Sequence, residues 1–390
     1  MTAAEKVFAE SLPGAIATPP WLRERRDLAL NTFRAQGIPH RRVEAWKYSD
    51  LRSVLEAAND FELLGIAWSV SPLPEGIELF DLSRLEEAPD WVRAHLGRSA
   101  PDSAMPAASL ALASSGFALR IKKEIADPIR IEFSGSGHGR ALIVVEPNCA
   151  LTLVETPASG PFSNVGIESV VGANARLTHV RMAAASPLAT QIEDIAVRVA
   201  RGATFFGHVV NEGALLSRLD LRMTLKEEGA SAFLSGVSVL AGASHSDVTT
   251  EIYHAAGHTR STQLFKKAVG DRARAVYQGK ITVAEGANGS DSQQTAKAIL
   301  LSDRAEADLK PELEILADDV KCAHGAAIGD LDGDSLFYLR SRGVPETDAR
   351  NLLIRAFLED AIAPIANSDI REEAWRKVEA RLAQAMEAAP

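Results

Sequence analysis

The chain has 390 residues, of which 46% are hydrophobic, 24% charged and 6% aromatic, with a formal net charge of −10. At ~150 residues per domain that is about two and a half domains of ordinary globular composition, not a disordered, collagenous or low-complexity chain. The acidic balance argues against nucleic acid as a partner, since phosphate binding draws on clustered Lys and Arg. The one basic stretch, Arg23 to Lys47, is interrupted by acids.

The opening MTAAEKVFAESLPGAIA has no basic segment followed by a continuous apolar run, and no stretch approaches the ~18 apolar residues of a membrane span. The expectation is a cytoplasmic protein with no membrane partner. Thr18 followed by Pro19 predicts a helix start, Trp21, Leu22, Leu28 and Phe33 supply its apolar spacing, and Gly37 with Pro39 ends it. A second helical stretch is expected in VEAWKYSDLRSVLEAA, residues 43–58. Residues 61–105, rich in Pro and small side chains, give only a short helix or two.

From about 110 to 323 the texture becomes short alternating stretches: ALRIKKEI, IRIEF, ALIVVEP, ALTLVE, ARLTHVRMA, IEDIAVRVA, TFFGHVV, SRLDLRMTL, AFLSGVSVLAG, AVYQGKITV and LEILADDVKC. Period two with one apolar face predicts strands. Between them a small motif recurs: Gly172-Ala-Asn-Ala175, Gly202-Ala-Thr204, Gly229-Ala-Ser-Ala232, Asp271-Arg-Ala-Arg-Ala275 and Asp303-Arg-Ala-Glu-Ala307, starting 30, 27, 42 and 32 residues apart. The intervals are too uneven for propeller blades but suit stacked coils, so a parallel β-helix is predicted over a two-sheet sandwich. A narrow coil built of small and β-branched side chains also accounts for the few aromatic rings.

After 325 helices return. DSLFYLRSRG, residues 334–343, closes on Gly343. ETDARNLLIRAFLEDAIAPI, residues 346–365, puts Leu352, Leu353, Ala356, Phe357 and Ile362 on one face, and a last helix starting at Ser368 runs through Trp375, Val378, Leu382 and Met386. The predicted layout is mainly β with α ends: an N-terminal helical region 1–109, a parallel β-helix core 110–324 and a C-terminal helical domain 325–390. The helical ends are expected to cap the open coil.

The only cysteines are Cys149 and Cys322, too few for a disulfide framework or a zinc quartet, which fits a reducing compartment. Cys149 sits in an apolar strand and reads as core. Cys322-Ala-His324 sets two soft or borderline metal ligands side by side. If the strand beginning at Leu313 runs on to 324, both point to one face, where they can hold iron or sulfur, although two ligands do not close a tetrahedral site. The plainer reading is a buried small hydrophobe beside a hydrogen-bonded histidine. His254-Ala-Ala-Gly-His258 reads as a turn because of Gly257, and His245, Asp247 and Glu251 as a solvated strand face. No P-loop, G-x-S-x-G, H-E-x-x-H or dinucleotide fingerprint occurs, so no catalytic engine is visible and the chain is not expected to be an enzyme.

KPELEILADDVKCAHGAAIGDLDGDSLFYLRSRGV (310–344) closely resembles the SufB/SufD family of iron–sulfur cluster assembly proteins, and RVEAWKYSDL, YQGKITV and QQTAKAILLSDRA are similar to it in the family's order. The Cys-x-His-Gly form of the motif and the short length look like the family's SufD branch. The resemblance implies a right-handed parallel β-helix between helical ends and a non-catalytic scaffold role in the SufBCD complex. The implied partners are a SufB-like paralogue in a heterodimer and a SufC-like ABC-type ATPase, with self-pairing of the isolated chain as the alternative assembly. It places His324, and with less weight Cys322, at the SufB–SufD interface, where a transient iron or iron–sulfur cluster is shared and none is tightly kept. It also assigns the region of Tyr338, Arg340 and Arg342 to ATPase docking. Two rival classes stand beside this: a polysaccharide-active β-helix enzyme, and a free-standing iron-binding homo-oligomer.

Overall fold

The computed structural model describes residues 17–57, 62–99 and 103–387. The N-terminal region contains helices α1 (Pro20–Gln36), α2 (Leu51–Ala57), α3 (Asp90–His95) and α4 (Ala104–Leu112), with a 3-10 turn at Glu44–Trp46. Pro19 is the N-cap of α1 and Pro20 its first residue, one position later than expected, because the Thr18 hydroxyl accepts from Arg26 Nη1 (2.9 Å) and does not cap. Gly37, at φ 67°, ends the helix. Residues 61–105, where only helices were expected, also hold strands β1 (Gly65–Val70) and β2 (Ile77–Asp81). The expected leader-free N-terminus and residue 58 lie outside the described residues.

Strands β3 (Ser115–Ile121), β4 (Ile129–Val145), β5 (Ala150–Thr156), β6 (Phe162–Val171), β7 (Arg176–Ala183), β8 (Ser186–Val199) and β9 (Thr204–Asn211) begin a parallel β-helix. It continues through β10 (Ala214–Leu225), β11 (Ser231–Leu240), β12 (His245–His254), β13 (Arg260–Val269), β14 (Arg274–Val283), β15 (Asp291–Leu300), β16 (Glu306–Ile315) and β17 (Lys321–Gly329). From β5 on, each strand pairs with the strand two places along, so odd-numbered strands stack into sheet I and even-numbered ones into sheet II. Ala150 pairs with Arg176 and Arg260 with Asp291, offsets of 26 and 31 residues that set the length of one coil. β4 crosses between sheets at Gly135-Ser136-Gly137, where a Cβ on Gly135 would lie 2.4 Å from the Gly65 carbonyl oxygen. β1 and β2 close this first end by antiparallel pairing with β4 and β3.

The recurring motif marks the corners, and its uneven spacing has a geometric cause. The Gly172, Gly202 and Gly229 copies turn the chain from sheet II to sheet I, whereas the Asp271 and Asp303 copies turn it from I to II. The 42-residue interval is therefore one and a half coils. At the first kind of corner a left-handed residue (Asn148, Asn174, Gly202, Gly229, Gly286) precedes a small buried one (Cys149, Ala175, Ala203, Ala230, Ala287). Cys149 thus does the work of an alanine in this series, which agrees with its reading as core.

Inward-facing Leu, Ile, Val and Phe form one continuous core along the coil. Rings enter it more than a narrow coil suggests, because Gly207 and Gly236 leave room beside Phe205 and Phe265. The N-terminal helices lie on the outer face of sheet II, through Leu22, Leu85, Val92 and Leu96 against Leu142 and Val144.

The C-terminal helices α5 (Gly333–Ser341), α6 (Glu346–Ile362) and α7 (Ser368–Glu387) follow the coil. α6 and α7 do not cap it. They fold back on the outer face of sheet I, where Ile354, Leu358, Ala361, Trp375 and Val378 meet Val180, Val210, Val237 and Ala268. The buried stripe of α6 runs through Ala349, Ile354, Leu358, Ala361 and Ile362, and Leu352 is exposed. Of the face expected from periodicity, Ile362 is buried and Phe357 half-buried against the same cluster, whereas Leu352 and Ala356 are exposed, because this helix is apolar on two sides. In α7, Asn367 caps by accepting from the Ile370 N–H (3.1 Å), and the side chain of Met386 lies outside the described residues. No described helix is long and apolar enough to cross a membrane.

Candidate functional site

The strand expected to run from Leu313 to His324 is two strands. β16 ends at Ile315, the chain turns through Leu316–Val320, and β17 begins at Lys321 on the other sheet. Two aspartates, Asp318 and Asp319, sit in that corner, with the Asp319 carbonyl accepting from Gly289 N–H (2.6 Å). Cys322 and His324 nevertheless share a face, since they are two residues apart on β17, roughly 7 Å between Cα atoms.

The face they share looks inward. Register places Cys322 beside Ser292 and, one coil further, Ser261, and His324 beside Gln294 and, one coil further, Gln263. These neighbours are buried and joined: His254 Nε2 bonds Ser261 Oγ (2.9 Å), which bonds Ser292 Oγ (2.7 Å). Beside them the Tyr277 hydroxyl donates to Gln263 Oε1 (3.1 Å) and accepts from Gln294 Nε2 (3.0 Å). The two potential ligands therefore end two buried polar rows.

Among the described residues β17 pairs only with β15, and β16 only with β14, so no described strand lies beyond the last coil. His324 is exposed, and Cys322 is partly covered against Ile281, Val283 and Leu313. Burial, with a smaller push from Asp291, holds the Cys322 thiol above its usual range and so favours the protonated form, although a backbone hydrogen bond from Ser292 pulls the other way. Around the pair, Ile328 is 48% exposed, and Ile315 and Leu316 are also open to solvent. The sequence did not single out these three, because in an alternating strand an apolar residue reads as core unless the missing next coil is known.

Among the described residues no group of three or more His, Cys, Asp or Glu is placed to hold a metal ion. Thiolate and imidazole suit iron or an iron–sulfur cluster as cargo, but two donors leave such a site half built.

The second predicted surface lies just beyond. α5 buries none of its residues, Phe337 is 74% exposed and Tyr338 is exposed beside it. Arg342 lies over the Tyr338 ring (5.3 Å), so these two residues named from sequence come together, whereas Arg340, two positions from Tyr338 on the helix, points elsewhere and pairs with Glu346 (3.3 Å). Phe337 adds a further exposed ring to this helix.

The other histidines have structural settings. His254 is buried between Thr259 (2.8 Å) and Ser261, which pushes its pKa down to about 4, and His258 takes the left-handed position of the corner. The His245/Asp247 face is not solvated. The segment Glu44–Ser49 crosses it: Ser49 Oγ donates to Asp247 Oδ2 (2.6 Å), Trp46 lies over the Arg218 guanidinium (4.1 Å), and Lys310 pairs with Glu44 (2.7 Å). Arg218 completes the anchor through Asp247 (2.7 Å).

Residues 131–357 match the family model described as the SufBD core domain of the SUF system for FeS cluster assembly, and residues 15–72 match that of the SufBD N-terminal region. An iron–sulfur cluster assembly SufBD family protein of Synechocystis is 37% identical over 238 residues, 58% of this chain and 52% of the relative. The iron–sulfur cluster assembly protein SufD of Escherichia coli is 34% identical over 212 residues, 54% of this chain and 50% of the relative. A SufBD family protein of Mycobacterium tuberculosis is 26% identical over 362 residues, 88% of this chain and 89% of the relative. The chain thus spans about half the length of the first two relatives and most of the third. With a core-domain match that runs from β4 into α6 and takes in the whole Cys322/His324 coil, this chain belongs to the SufBD family of iron–sulfur cluster assembly proteins, on its SufD-like side.

Proposed function

We propose that the chain is a non-catalytic scaffold subunit of a cytoplasmic SufBCD-type complex, which pairs with a SufB-like paralogue and docks a SufC-like ATPase. The observation that carries this reading is the unfinished last coil. The outer edges of β16 and β17 have no strand partner among the described residues, and β17 carries His324, Cys322 and Ile328 there. Exposed edges beside apolar side chains are a template for pairing with another chain. A paralogous coil placed there supplies the ligands that Cys322 and His324 lack, so iron and sulfur meet as cargo in a site that exists only when the pair is assembled.

The roles within the site follow from exposure. His324, open to the joint, offers imidazole nitrogen to iron or accepts a proton as sulfur is delivered. Cys322, neutral and partly buried, becomes a ligand once an arriving cation or the partner's charge favours the thiolate. The α5 surface of Phe337, Tyr338, Arg340 and Arg342 receives the ATPase, and α6 and α7 hold α5 to sheet I, so nucleotide-driven movement of that subunit reaches the coil.

Co-expression with a SufB-like paralogue and a SufC-like ATPase tests this reading. The three chains should co-purify, and His324→Ala should keep the complex while cluster formation in it falls by about tenfold or more, the scale of losing one metal ligand or its support. A His324→Ala complex that assembles clusters at the unaltered rate removes His324 from the site, and failure of the chains to co-purify removes the scaffold role.

A further inference from the structure

A groove of about 470 Å³ lies on the outer face of sheet II and reaches as far as β14, one strand short of the last coil. Its walls carry Arg98, Arg198, Arg222 and Lys280, with Glu251 as the only acid. This is a local excess of positive charge on a chain whose net charge is −10.

The cations are not equivalent. One cross-strand row runs Ala196, Arg222, Glu251, Lys280 and Glu312, so Glu251 sits between two basic neighbours and the row is balanced. Arg222 is further held by Asp194 (2.6 Å) and Lys280 by Glu314 (2.7 Å). The next outward row runs Val170, Arg198, Thr224, Tyr253 and Thr282, and there Arg198 has uncharged neighbours on both sides. Its Nη2 is buried with no hydrogen-bond partner. The buried carboxylate whose charge reaches Arg198, Glu168, makes its hydrogen bonds to Arg140 (2.6 Å) and to the backbone N–H groups of Gly97 (2.7 Å) and Ser99 (3.0 Å) instead. Arg98, at the end of the segment after α3, comes over the same groove and is exposed, with no carboxylate partner among the described residues. Two guanidinium groups with no carboxylate hydrogen-bonded to either, both lining a groove of ligand size, offer the charge and the planar donors that recognise a tetrahedral oxyanion. Tyr253, 44% exposed on the groove floor with Thr224 and Thr282 beside it, offers a ring face and hydroxyls to whatever the anion is attached to.

We propose that this groove is a binding site for a phosphorylated small molecule, its phosphate held by Arg98 and Arg198 and its organic part lying along Tyr253. The site stands apart from the Cys322/His324 coil and does not depend on the scaffold reading.

Isothermal titration of the full-length chain at low ionic strength with inorganic phosphate, and separately with adenosine monophosphate as a ring-bearing ester, tests it. Both probes should bind saturably, and the ester should bind about fivefold or more tightly because of the ring. Arg98→Glu, a change at an exposed position that leaves the fold intact by thermal melting, should weaken both by about tenfold or more. Tyr253→Ala should remove only the ester's advantage. No saturable binding of either probe below about 10 mM, or equal binding by Arg98→Glu, overturns the site. Equal affinity for phosphate and ester overturns the part assigned to Tyr253 and identifies the site as one for free phosphate.

Discussion

One row of inward-facing side chains, followed from coil to coil, changes character along its length. It reads Leu151, Leu177, Phe205 and Ala232 on β5 to β11, then Ser261, Ser292 and Cys322 on β13 to β17. The first four positions belong to the common apolar core, and the next two belong to a hydrogen-bonded network that ends at the open coil. The parallel row ends Gln263, Gln294, His324. The same backbone geometry therefore serves two purposes. In the middle coils it excludes water and supplies stability, whereas in the last coils it fixes the direction of polar groups at the cost of apolar burial.

Four measurements break or sharpen that contrast. Phe205→Ala, deep in the apolar coils, should cost about 4 kcal/mol in urea unfolding, as burial of a ring and the cavity left behind require. A loss below about 1 kcal/mol would mean that the middle coils are not the stabilising part.

The second concerns acid. Burial lowers the pKa of His179, His208 and His254 to about 4 and that of His138 to about 3, so the fold favours their neutral forms. Their contribution is complete above pH ~6.5, the unfolded value, and is lost as pH falls from there through the folded values, at up to ~1.4 kcal/mol per pH unit for each histidine. Glu193, raised by burial despite the pull of Arg181, works in the opposite sense. Urea midpoints at pH 7.5, 6 and 5 should fall steadily, and a flat profile would contradict neutral burial of these rings.

Third, Tyr277→Phe removes the hydroxyl between Gln263 and Gln294 and leaves two buried amides short of a partner, at about 1 to 3 kcal/mol. The smallest effect belongs at the end of the row. His324→Ala should change the stability of the isolated chain by less than about 0.5 kcal/mol, because an exposed side chain on an edge strand supports nothing else. A larger loss would make His324 a structural residue and weaken its assignment as a ligand.

The coil was legible in the sequence because alternation and small corner residues are local signals, each contained in about ten residues. The pairing of Cys322 with His324 on one face survived the break in the predicted strand, since their two-residue spacing does not depend on where β17 begins. Features set by distant segments were not legible. Asp247 and His245 read as solvated because alternation separates the two faces of a strand without saying what covers the outer one. Their cover, Trp46 and Ser49, comes from about 200 residues earlier in the chain. The short strands β1 and β2 were hidden among prolines for a related reason, as their partners among the described residues are β4 and β3, further on in the chain. The openness of the last coil also escaped, because Ile315 and Ile328 keep the alternation of a strand whose outer neighbour is absent.

The strap from Glu44 to Ser49 has a consequence for how the molecule is made. Ser49 leaves the ribosome 198 residues before Asp247, and Glu44 precedes its partner Lys310 by 266. At ~5–20 residues per second the strap waits roughly 10 to 50 seconds for the strands it will cover. Coils can stack as they emerge, each on the one before, and the strap has its full set of partners only once β12, β14 and β16 are in place. Only its last contact, Glu44 with Lys310, waits for the final coil, and a truncated chain that ends before β16 would carry Glu44 without that partner.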